Sequence, residues 1–111
     1  MKLQKILTSK FIPNSKLTCE KDTYKLLQEQ VFEKSFKLYT PILRGFPDYI
    51  VIKVYNKYEK HITSGFYEIK FKNNKLTKYQ INFLSALAFS FHVYVVEVKQ
   101  DYCFDILQVV V

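Results

Sequence analysis

Seven residues near the middle of the chain, Tyr49-Ile50-Val51-Ile52-Lys53-Val54-Tyr55, are β-branched or aromatic at every position except Lys53. A run this apolar is unsuited to an exposed edge. It predicts a largely buried strand, which needs other elements packed over its sheet. Residues 56–64 are polar, with Lys57, Glu59, Lys60 and His61. They predict a turn into an antiparallel strand over 66–72, opened by Gly65.

Two periodic segments supply the cover. Tyr24, Leu27, Val31 and Leu38 recur at spacings near a helical turn, which predicts one amphipathic helix over 20–39 that stops before Pro41. Leu76, Gln80, Phe83, Leu84, Leu87, Ala88 and Phe91 share one side of a second helix. Strands are expected over 92–98 and 104–111, joined by a turn at 99–101. The order is α-β-β-α-β-β, an α/β domain whose mixed sheet is flanked by helices. At 111 residues the chain, 1–111, is one domain.

Apolar residues are 49% and charged residues 24% of the chain, a balance that excludes disorder and low-complexity sequence. Cys19 and Cys103 are too few for a disulfide framework and are expected as reduced thiols. Neither they nor His61 and His92 have zinc-like spacing. Two glycines, Gly45 and Gly65, cannot build a phosphate-binding loop, so no nucleotide cofactor is expected. The net charge of +7 points to a polyanionic partner. Lys2, Lys5, Lys10 and Lys16 stand in residues 1–18 without an acid, which reads as a basic N-terminal arm. The start lacks the unbroken apolar run of a signal peptide. Residues 79–96 are uncharged but hold Gln80, Asn82, Ser85, Ser90 and His92, so no membrane span is expected. The location expected is cytoplasmic, the host's if the chain is viral.

Alternation along Phe66-Tyr67-Glu68-Ile69-Lys70-Phe71 projects Glu68 and Lys70 from one face and Tyr67, Ile69 and Phe71 from the other. Such a pair is either a surface ion pair on a solvated face or part of a site. Glu97-Val98-Lys99 shows the same pattern and reads as a decoy. Upstream of Glu68 stands Gly45-Phe46-Pro47-Asp48, and downstream Leu76-Thr77-Lys78-Tyr79-Gln80 opens the second helix.

This ordered set resembles the PD-(D/E)xK nuclease superfamily, and within it the VRR-NUC and archaeal Holliday-junction-resolvase-like branch, over roughly residues 45–96. The resemblance implies a restriction-endonuclease-like sheet and a Mg²⁺-dependent endonuclease hydrolysing phosphodiester bonds of DNA, branched DNA above all. It implies that Asp48 and Glu68 hold Mg²⁺, with Mn²⁺ as a substitute, because hard cations prefer carboxylate and water oxygens. Many members add an acid from the first helix. Glu20 lies on the stripe of Tyr24, Leu27 and Val31, and either fills that role or complements the helix dipole. Lys70 would stand beside the attacked phosphate. Neighbouring anions favour its cation, which points to charge stabilisation over a general-base role. Gln80 would position Lys70, a water or a phosphate oxygen, or is simply a half-buried polar residue.

Lys72, Lys75 and Lys78 follow the Glu-x-Lys strand and would neutralise flanking phosphates, or else form a solvated loop. Arg44, the only arginine, either forks onto a phosphate or is merely exposed. The apolar end over 106–111 offers a homodimer edge or is a central core strand. The alternative function is a non-catalytic basic nucleic-acid-binding protein, and a third is an interaction protein whose charge serves solubility.

Overall fold

The computed structural model describes residues 1–12, 20–71, 73–99 and 101–111, with the side chain of Glu20 left aside. The elements run β1 (Lys2–Lys10), α1 (Glu20–Gln30), β2 (Phe32–Lys37), β3 (Tyr49–Val54), a short 3-10 turn (Asn56–Tyr58), β4 (Gly65–Phe71), α2 (Lys78–Leu87), β5 (Val93–Val98) and β6 (Cys103–Val110). They build an α/β fold with one six-stranded sheet in the order β1-β6-β5-β4-β3-β2. The β4–β5 pair is parallel and every other pair antiparallel. A parallel neighbour requires a crossover, and α2 is that crossover.

Each face of the sheet has its own core. Tyr67, Ile69 and Phe71 of β4 join Val96, Val98, Phe104, Ile106 and the α1 residues Leu26 and Leu27 on one side. Leu84 of α2 packs with Val93, Val95 and Val109 on the other. The alternation expected along 66–71 therefore holds. Tyr67 anchors the first core: its ring stacks on Tyr94, meets the edge of Phe32, and its hydroxyl donates to the Thr63 carbonyl at 2.6 Å. Burial pushes the Tyr67 phenol far above its ordinary range, so it remains a donor.

Two expectations are corrected. The helix read over 20–39 ends at Gln30, and Phe32–Lys37 is an edge strand. The register of β2 against β3 shifts between Phe32 and Lys34 and again between Lys34 and Ser35. These irregularities bring Phe32 and Ser35 both inward, three residues apart, so the strand lacks a strict two-residue alternation. The basic arm read over 1–18 is, over Lys2–Lys10, a strand paired along its length with β6. Lys5 there reaches Asp105, as does Lys99, both at 3.6 Å, and the Thr8 hydroxyl donates to the same carboxylate at 2.7 Å. The order α-β-β-α-β-β thus lacked β1 and β2. Lys16 and Cys19 lie outside the described residues.

β6 lies between β1 and β5, so residues 106–110 belong to an internal strand of the sheet and not to an edge. Among the described residues no helix is long and apolar enough to cross a membrane.

Candidate active site

β4 is antiparallel to β3 and parallel to β5, so three features meet at one end of the sheet. These are the loop entering β3, the exit of β4 with the start of α2, and the exit of β5. The register pairs Tyr49 with Tyr67 and Ile50 with Phe66. The pairing ends there: Asp48 is a bend just before β3, and Glu68 follows Tyr67 on β4. Asp48 is held there from its other side, because its carbonyl accepts the Leu38 N–H at 2.7 Å. Glu68 is only 1% exposed, which makes it a buried carboxylate on a central strand. Lys70, two residues on and half-buried, shares its face.

The loop before Asp48 is locked onto α2. Gly45 has φ +87, and a Cβ there would come within 2.3 Å of the Tyr79 carbonyl carbon and 2.6 Å of the Gln80 nitrogen. Only a glycine lets the two backbones lie this close. Phe46 sets its ring edge-on against Phe66 and Phe83, at 5.6 and 5.7 Å. The Arg44 guanidinium stacks over the Tyr79 ring at 4.4 Å, a geometry that leaves its edge donors available.

Gln80 closes a capping box. Its N–H donates to the Thr77 hydroxyl at 3.2 Å, and its Oε1 accepts the Thr77 N–H at 2.9 Å. The amide thus fixes the first turn of α2. Thr77→Ala is expected to lower stability by about 1 kcal/mol, read as a shifted urea midpoint at constant slope.

The cavities divide the expected residues. Lys70 lines a cavity of about 580 Å³ with Lys75, Asn73, Asn74, Glu97 and Lys99. Asp48 borders another, of about 530 Å³, with Lys21, Tyr24, Lys37 and Tyr49. Asp48 thus borders a hollow beside α1, while Lys70 faces a different one. Lys75 and Lys78 are exposed at the site end. The side chain of Glu20, which opens α1, and all of Lys72 lie outside the described residues.

One residue set aside in the sequence belongs here. Glu97 is the register partner of Lys70 on the parallel neighbour β5, and it lines the same cavity. Glu97 is in turn paired with Asp105 on β6. The Glu-x-Lys repeat at the exits of β4 and β5 was its signal, once the two strands are known to be parallel neighbours.

Among the described residues no group of three or more His, Cys, Asp or Glu side chains gathers to hold an ion. The carboxylates of Asp48 and Glu68 are each hard oxygen donors of the kind Mg²⁺ takes. No family model, curated protein or solved structure matches the chain at a significant level.

Proposed function

We propose that the chain is a Mg²⁺-dependent endodeoxyribonuclease of the PD-(D/E)xK type, acting in the cytoplasm on branched DNA such as Holliday junctions, with a restriction-endonuclease-like sheet. The observation that carries this reading is the buried Glu68 sharing one face of β4 with Lys70, next to the strand that Asp48 enters. Further support comes from the order of the parts: Pro47-Asp48 at the mouth of β3, Glu68-x-Lys70 on β4 and Gln80 in the first turn of α2.

Mg²⁺ bound by Asp48 and Glu68 would supply a water of lowered pKa and screen the phosphate charge. The Lys70 ammonium stabilises negative charge gathering on the phosphoryl oxygens. Glu97 adds a carboxylate beside that ammonium. Arg44, Lys75 and Lys78, with Lys72, neutralise phosphates on either side of the bond and orient the strand. Gln80, by capping α2, holds the backbone against which Gly45 packs, and so the loop that delivers Asp48. Cutting two strands calls for a second copy of the domain, and a homodimer belongs to the proposal, with β1 and β2 as the outer strands available for pairing.

The test is cleavage of an end-labelled four-way junction, with linear duplex and single strand alongside. Cutting is expected with Mg²⁺ or Mn²⁺, none with chelator, and none with Asp48→Ala. One observation favours a second reading, a non-catalytic basic DNA-binding protein: Asp48 and Lys70 border separate cavities. That reading takes first place if every substrate survives while DNA still binds.

A further inference from the structure

The loop between β2 and β3 presents apolar side chains to solvent at the site end of the sheet. Tyr39 is 88% and Ile42 92% exposed, so neither contributes to the core of its own domain. Leu43 and Tyr79 beside them are about half exposed. Tips like these are costly to leave in water. The loop is nonetheless built to hold a shape. Leu43 N–H donates to the Thr40 carbonyl and Phe46 N–H to the Leu43 carbonyl, both at 3.1 Å, giving two successive turns. Behind them, Phe46, Gly45 and Arg44 fasten the loop to β4 and α2.

The charge around the tips indicates what covers them. Lys34, Lys37 and Arg44 flank the loop, and no acid occurs from Lys34 to Pro47. The facing helix α2 carries Lys78 and no acid. A protruding apolar and aromatic tip within a cationic surround is complementary to bases that have left the stack, with phosphates to each side. Apolar side chains enter between base steps as wedges, aromatic rings stack on exposed bases, and both are least costly where the bases are already unstacked.

We infer that residues 39–44 form a wedge, with Ile42 and Tyr39 as its tips, that docks against unstacked bases at a branch point, bulge or single-strand junction in DNA. The inference rests on reading the chain as DNA-acting, and it names the feature of the substrate that the domain recognises. The rigid loop contributes by holding the tips in the bound conformation beforehand.

The test uses the full chain in chelator, so that no strand is cut, with two probes: a four-way junction carrying 2-aminopurine at the branch, and a linear duplex carrying it at the same sequence position. The wild-type chain is expected to bind the junction about tenfold or more tighter than the duplex and to raise 2-aminopurine fluorescence only in the junction. Tyr39→Ala/Ile42→Ala alters only solvent-exposed side chains. It is expected to bring the two affinities within about twofold of each other, to abolish the fluorescence rise and to leave duplex binding unchanged. Equal binding of both probes by the wild-type chain, or an unchanged preference in the double variant, overturns the wedge and leaves the nuclease reading standing. Failure to bind either probe overturns both.

Discussion

Glu68→Gln is expected to abolish metal-dependent DNA cleavage without unfolding the protein. Loss of a residue that merely supports a metal ligand costs 10- to 100-fold, so removal of a ligand itself sets a floor of about 100-fold. Glutamine keeps the volume of Glu68 and its capacity for hydrogen bonds, but carries no charge to hold Mg²⁺. The side chain is 1% exposed, and a carboxylate at that depth is held against a desolvation cost that the amide does not incur. Stability is therefore expected to stay within about 1 kcal/mol of the parent or to rise. A structural ion pair behaves differently, because breaking it leaves a buried charge without its counterpart and costs about 3–5 kcal/mol. The two measurements together, single-turnover cleavage and a urea midpoint, separate the roles. Lost cleavage with retained stability assigns Glu68 to chemistry, whereas a drop of several kcal/mol makes it a structural anion.

What the chain shows without its structure follows the size of each signal. The unbroken β-branched and aromatic run at 49–55 and the two-residue alternation at 66–71 are both local patterns, and both strands appear where those patterns put them, as β3 and β4. The second helix was legible in its apolar stripe, although it runs only Lys78–Leu87 and leaves Leu76, Ala88 and Phe91 of that stripe outside it. Residues 32–37 were not, since two register shifts, one in β2 at Glu33 and one in β3 at Ile52, break the two-residue alternation that would mark a strand. β1 was hidden for a related reason. Its lysines dominate the composition, and its strand character depends on β6, which lies about a hundred residues away in sequence. Within the candidate site, Glu68 and Lys70 share a face because of spacing alone. Their neighbours depend on topology: Glu97 lies beside Lys70 only because β5 returns parallel to β4. Gln80 had its helical position legible, while the partner of its side chain, the Thr77 N–H, became visible only in the folded chain.

Gly45→Ala is expected to have the next largest effect, through the loop that presents Asp48. The residue sits at φ +87, where an L side chain is strained. The added methyl would also meet three backbone atoms of α2, the Tyr79 carbonyl carbon and oxygen at 2.3 and 2.4 Å and the Gln80 nitrogen at 2.6 Å. Backbone within a capped helix cannot rotate out of the way, so the loop must lift from α2 instead. Lifting it loosens the Phe46 contacts with Phe66 and Phe83 and separates Arg44 from Tyr79. Strain and lost packing together are expected to cost about 2–4 kcal/mol in a urea titration. Asp48 lies three residues beyond, and a displacement of about 1 Å at a reacting group costs on the order of 100-fold in rate. Cleavage by Gly45→Ala is thus expected to fall well below that of Thr77→Ala, which leaves the loop seated. Retained stability together with wild-type cleavage in Gly45→Ala would show that this loop neither packs on α2 as described nor positions Asp48.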